Sequence, residues 1–423
     1  MDKIAIPFIA NDKWALLKKV AINLSFDIFA QNPIFYVLIA WVAILGITKV
    51  LKLEKHGFEI KPYSLTYKNA QVQTVLTKIL GRTRRGIRIF ADVSVVAGFI
   101  MMGFGFWFLI DNITKFFDKP ADFSQLTVLI PGVTLTSGPA ILYFLLSIPI
   151  VLVVHEGAHG IVATLEKIKI KTGGFAIFIA MFAGFVEPDD EEFNKAKKMS
   201  KLRVIGAGAT SNVIFALVLG AILLTNPFFA IILPEPIRST FYESPEGVKI
   251  LTIMPEGDAG NAGLQANDII IGINDTPVVT PMDFAKVKLS PGDIAKITIL
   301  RDGVKSDHQV KIMPAPDDPK KGLIGITRDN SASYKPVYNF IEWNNPQFSM
   351  FLLWLWMISF FIGIINMLPL PILDGGKFIH SIIDKKLSDI MVNRTMWTIY
   401  GFTFALFGLN IGLSYLKSGW FTI

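Results

Sequence analysis

Six apolar stretches dominate the chain, at about 34–51, 93–110, 140–162, 204–225, 348–368 and 397–416. Each is close to the roughly 20 residues that a helix needs to cross the hydrocarbon core of a bilayer. In hydrocarbon a backbone must satisfy its own polar groups, so stretches this long cross as helices. The sequence predicts a polytopic α-helical membrane protein of about six transmembrane helices. Composition agrees, since 52% of the 423 residues are hydrophobic and only 18% charged. The chain has no cysteine, which excludes disulfides, thiolate metal sites and Cys nucleophiles and leaves any metal to His and carboxylate. A formal charge of +7 is assigned to cytoplasmic loops. No basic-aromatic module is found, so the expected partner is the lipid bilayer and no nucleic acid.

Charge also sets the expected sidedness. Segment 54–92 carries Lys55, Lys61, Lys68, Lys78, Arg82, Arg84, Arg85 and Arg88 against Glu54, Glu59 and Asp92, whereas 111–139 balances Lys115 and Lys119 with Asp111, Asp118 and Asp122. The first is therefore read as cytoplasmic. Counting on, 163–203 and 375–396 are inside, and 226–347 is outside with both termini. Lys18 and Lys19, close to the first span on the outer side, run against this assignment. The first thirty-odd residues are interrupted by Lys3, Asp12, Lys13, Lys18, Lys19 and Asp27, so they are read as interfacial and uncleaved.

Segment 226–347 has ordinary charge density, Pro and Gly punctuation and β-branched runs such as 248–253, the pattern of a small folded domain. Within it, 255–278 (PEGDAGNAGLQANDIIIGINDTPV) resembles the core of a protease-associated PDZ domain. Gly263 and Asn267 suit a turn, Ile269 to Ile273 a buried strand, and Asn274-Asp275 the next turn. The expected organisation is 1–139 (interfacial segment and two spans), 140–225 (first part of a membrane core), 240–316 (a PDZ-like α/β domain outside the cytoplasm) and 348–423 (the rest of the core).

The strongest chemical signal is His155-Glu156-Gly157-Ala158-His159 in the third apolar stretch. On a helix this spacing puts both imidazoles on one face, able to bind one Zn²⁺, with Glu156 beside them to accept a proton. Ionisable groups inside a span are costly unless they serve a function. A catalytic zinc needs a third protein ligand, and Asn366-Met367-Leu368-Pro369-Leu370-Pro371-Ile372-Leu373-Asp374-Gly375-Gly376 supplies a candidate in Asp374. Pro369 and Pro371 break the fifth span there. Two other readings stand beside this one: the segment is a plain Pro-rich turn, or Glu187 is the third ligand, as in soluble zincins.

Taken together, these elements resemble the site-2 protease family of intramembrane metalloproteases, whose pattern is His-Glu-x-x-His in one span and Asn-x-x-Pro-x-Pro-x-x-Asp-Gly in a later one, with a PDZ-like insert between. The resemblance covers roughly 140–380. It implies one zinc per chain held by His155, His159 and Asp374, with Glu156 as catalytic base. It also implies that Asn366 binds the substrate backbone or the developing oxyanion; the alternative for Asn366 is a polar cap on a broken helix. Implied partners are transmembrane protein substrates, cleaved in regulated intramembrane proteolysis, and a peptide or carboxyl terminus bound or excluded by the PDZ-like domain. The run Gly173–Val186 is too short to span and is read either as a membrane-embedded β-hairpin, as in similar enzymes, or as an interfacial loop. Family members often carry Gly-Pro-x-x-Asn at the fourth span; here Ala209 stands in the proline position, and Asn212 is kept. His380 is read as structural or as a partner of a metal ligand. A competing class, a metal-binding scaffold or transporter, would not need Glu156.

Overall fold

The computed structural model describes residues 33–179, 181–243, 247–315, 320–329, 334–338, 340, 341, 343, 345–384 and 386–419. The stretch read as interfacial lies outside them. In chain order the helices are α1 (Pro33–Val50), α2 (Val72–Asp118), α3 (Gly138–Leu165), α4 (Asp190–Lys195), α5 (Lys198–Leu223), α6 (Glu235–Phe241), α7 (Pro281–Lys286), α8 (Pro346–Asn366), α9 (Asp374–Ile383) and α10 (Asp389–Ser418). Five of these, α2, α3, α5, α8 and α10, are long and apolar enough to cross a membrane. The count of six is thus five among the described residues on length and composition, with α1 at the place of the remaining one.

The chain divides into two compact units, one of residues up to Leu217 and from Trp354 onward, the other Val218–Leu353. In the first, the basic segment expected as a loop is largely helix. α2 runs for 47 residues and departs from helical geometry at Thr83 (φ −131°), whose hydroxyl donates to the Ile79 carbonyl at 3.1 Å, a back-bond that bends helices. The charges of 78–88 thus mark where the helix leaves the apolar phase, not where it begins. Before it, β1 (Phe58–Lys61) and β2 (Ser64–Asn69) form a hairpin. β2 pairs with β3 (Ile170–Phe178), which pairs with β4 (Met181–Pro188), giving an antiparallel sheet of order β1-β2-β3-β4. The Gly173–Val186 run is therefore a hairpin, widened by two strands from residues a hundred positions earlier.

A carboxylate ties three helices together at one end. Glu166, the C-cap of α3, accepts from Arg88 of α2 at 2.7 Å and from Arg203 of α5 at 3.3 Å, with the Ser200 hydroxyl on its other oxygen. Arg203 also reaches Asp92 of α2. Buried and multiply bonded, Glu166 meets the condition under which a charge can leave water.

The second unit holds the insert. Its main strands are β5 (Val248–Ile253), β6 (Ile269–Ile273), β7 (Thr276–Pro277), β8 (Ile294–Arg301), β9 (Val304–Lys311) and β12 (Ile326–Asp329), with β10 (Met313–Pro314) and β11 (Gly322–Leu323) paired apart. The sheet order is β12-β5-β6-β8-β9, with β7 beside β6. Its core is Val248, Ile250, Ile270, Ile273, Ile297 and Ile299, all 0% exposed. Asn267 (φ 76°), Asn274 (φ 48°) and Asp275 (φ 63°) take the left-handed backbone of the turns they flank. The sheet draws its edge strand from Ile326–Asp329, beyond the residue 316 at which the sequence reading ended this domain.

Candidate metal centre

Residues from three helices meet in the first unit. His155 and His159 lie one turn apart on α3, and Asp374 opens α9, just after the Pro369-Leu370-Pro371 turn that ends α8. The turn folds back tightly on that helix start: a side chain at Gly375 would sit 2.2 Å from the Met367 carbonyl oxygen, so only glycine fits. The proline-rich turn and the glycines together fix the depth of Asp374.

The Nε2 atoms of His155 and His159 are 3.2 Å apart, and each lies 3.1 Å from Asp374 Oδ2. His155 and Asp374 are buried and His159 is half-buried. His159 Nδ1 donates to the Val204 carbonyl at 2.7 Å, which leaves Nε2 as a lone pair facing the carboxylate. Lone pairs gathered this closely repel unless a cation lies among them. Gly208 of α5 keeps the space open, since a Cβ there would lie 2.3 Å from His159 Nε2 and 2.7 Å from His155 Nε2. Among the described residues, these three form the group able to hold a metal ion. Two imidazoles and one carboxylate form a donor set that suits zinc and leaves a coordination position for chemistry.

Asn212 of α5, 0% exposed, tests this fit. Its Nδ2 is 3.1 Å from His155 Nδ1, while its Oδ1 is buried without a partner. A metal on Nε2 requires the proton on Nδ1, and that N–H requires an acceptor. A half-turn of the amide directs Oδ1 at Nδ1 and satisfies both atoms, and the two orientations have the same shape. In the sequence, Ala209 in place of the usual proline weakens a site role for Asn212 and leaves open a plain hydrogen bond across helices; the structure sets the residue beside His155.

Glu156 accepts a hydrogen bond from the Val186 backbone N–H of β4 at 3.1 Å. It lines an otherwise largely apolar cavity of ≈ 540 Å³ between α3 and the sheet, with Leu152, Val153, Phe182 and Phe185 among the walls. β4 is the last strand of its sheet. The Val186 N–H points away from β3, so by the two-residue alternation Phe182 and Gly184 present theirs to the same side.

The other candidates are placed elsewhere. Asn366 is the last residue of α8, half-buried, and its side chain makes no hydrogen bond among the described residues. Glu187 is exposed on β4, outside the cluster, so it is not the third member. His308 belongs to the insert, 2.7 Å from the Ala262 carbonyl and 3.0 Å from Ser306 Oγ. His380 is exposed on α9.

The chain is similar to several known proteins. Residues 143–408 match the description of peptidase family M50. An uncharacterized protein of Methanocaldococcus jannaschii is 24% identical over 348 residues, 80% of this chain and 81% of the relative. The probable protease Eep of Enterococcus faecalis is 24% identical over 47% of this chain and 54% of its own length. The serine endoprotease DegS of Escherichia coli is 29% identical over 73 residues, 17% of this chain and 21% of its own. Among solved structures, the PDZ domain of an SdrC-like protein from Listeria monocytogenes matches 20% of this chain and 90% of its own, at 20% identity and a TM-score of 0.19. The scaffold or transporter reading is set aside. The chain belongs to peptidase family M50 and is a multi-pass membrane metalloprotease of the site-2 protease type.

Proposed function

We propose that this protein is an intramembrane zinc endopeptidase that cuts transmembrane segments of membrane-tethered substrates. The observation that carries the reading is the convergence of His155, His159 and Asp374 within 4.8 Å at the level of the apolar helices. These three residues would hold one zinc. When bound, zinc supplies Lewis acidity toward a water and a peptide carbonyl.

The remaining steps belong to the chain's own residues. Glu156, next in sequence to a ligand and facing the cavity, takes the proton of the attacking water and returns it to the leaving amine. The free edge of β4 accepts the substrate as an added strand, which answers a physical difficulty: a transmembrane helix hides its carbonyls and must be extended before attack. The apolar cavity walls favour the side chains that such a segment carries. Asn366 donates to the substrate backbone or the oxyanion.

The excess of Lys and Arg in 54–92 supports the reading of that segment as cytoplasmic and of 226–347 as extracytoplasmic. His155 and His159, in the second half of α3, then lie nearer the cytoplasmic face. The insert provides a peptide-binding module on the outer side.

The test is cleavage of single-span fusion substrates by purified protein, wild type against Glu156→Gln, with zinc measured in both. The expected result is loss of cleavage by at least about a hundredfold with one zinc retained. Cleavage by the variant at the wild-type rate would refute the role of Glu156.

A further inference from the structure

The sheet of the insert ends in β12, which among the described residues pairs only with β5. Its second edge offers backbone groups to another strand. α7 packs against β12, where the Arg328 guanidinium lies over the Phe284 ring of α7, 4.4 Å from its centroid.

Arg328 is electrostatically unusual. Its Nη1 is buried and has no hydrogen-bond partner among the described residues. Burial pushes the guanidinium below its ordinary value. The insert's other two arginines behave differently: Arg238 pairs with Glu235, and Arg301 forks onto Asp268 with contacts of 2.6 and 2.7 Å. A guanidinium has donors in a fixed fork and cannot shed its proton to escape burial. Burying one without a counter-charge is costly. Stacking on Phe284 offsets part of this cost and orients the fork, but it leaves Nη1 unused.

We infer that Arg328 selects an acidic side chain in an extended peptide lying along the β12 edge, an inference that rests on the reading of the insert as a peptide-binding module. A strand added along β12 presents every second side chain to the α7 side, so Arg328 faces a side chain of the incoming strand. A carboxylate there satisfies the buried donor and supplies the missing charge, in the bidentate geometry that guanidinium favours. The partner is thus an acidic, β-compatible peptide. This holds whether or not the metal centre cuts it.

The experiment uses the full-length protein in detergent and reads binding, not cleavage, by fluorescence anisotropy. The probes are short Val- and Thr-rich peptides, amidated at the carboxyl terminus, with one Glu or one Gln placed at each position in turn. A further peptide has no acidic residue and a free terminus. At one position the Glu peptide is expected to bind about tenfold tighter than its Gln counterpart. Arg328→Met, which keeps an apolar stem on Phe284, should abolish the preference, and Arg328→Lys should keep part of it. Should Arg328→Met not fold, the wild-type Glu/Gln comparison and Arg328→Lys decide. Equal binding of Glu and Gln peptides at every position, a preference confined to the free terminus, a preference unchanged in Arg328→Met, or no binding of any peptide would overturn the inference.

Discussion

The membrane unit and the insert use opposite codes. In the insert, large apolar side chains face inward, and the core is a run of isoleucines and valines at 0% exposure. In the membrane unit, many large apolar side chains face outward: Val153 is 73% exposed and Leu217 63%. Apolar residues such as Val151, Val162, Met367 and Phe378 are buried there too, but they share the interior with Asn112, Ser147, His155, Asn212, Ser359 and Asn410. Water drives apolar groups together in the insert. Lipid does not, so close packing and hydrogen bonds between helices decide the membrane half. Asn112 and Asn410, 2.9 Å apart between α2 and α10, show the second code at work. In such a protein an apolar residue says little about position, whereas a buried polar one marks a contact or a site.

The largest effect that tests this contrast comes from one small residue. Gly208→Val places side-chain carbon where the two Nε2 atoms meet, so zinc binding and cleavage should both be lost while the protein stays folded. Metal analysis and a thermal melt check it, and normal zinc content would break the account. Next, Ile297→Ala empties a fully buried site in the insert and should destabilise it by about 2–5 kcal/mol. The parallel Val153→Ala, on an outward face of α3, should stay within about 0.5 kcal/mol. Comparable losses at the two positions would mean that both units are packed by one rule.

The smallest effect concerns pH. Burial alone would raise the Asp268 carboxyl, but Arg301 and the Gln265 N–H hold it below its ordinary value. A carboxyl depressed on folding stabilises above its unfolded value, near pH 4, and loses that contribution as pH falls toward the folded one. Asp268→Asn should therefore lower insert stability at neutral pH and flatten its acid limb. Acid melts of both forms measure this.

How far the sequence could be read follows the same contrast. His155, Glu156, His159 and Asp374 stood out because ionisable groups in apolar stretches are rare enough to be noticed. The strand 269–273 and its turns were legible because Asn267, Asn274 and Asp275 are residues that accept left-handed backbone. Less could be seen where partners are distant. β1 and β2 are short and carry Glu59, Lys61 and Lys68, and they become part of a sheet only by pairing with β3. β12 is four residues long and owes its place to β5. The 47-residue α2 was read as loop plus span because hydropathy reports where lipid begins, not where a helix does. Asn212 was ambiguous because hydrogen-bonding a histidine and bridging two helices call for the same residue.

The central claim is that two distant segments build one metal site, and X-ray absorption at the zinc edge of the purified protein tests it most directly. The account predicts one zinc per chain with only light N and O neighbours, two of them imidazole at about 2.0–2.1 Å, and loss of an oxygen neighbour in Asp374→Ala. A zinc shell unchanged in Asp374→Ala, or one with three imidazoles, would contradict it.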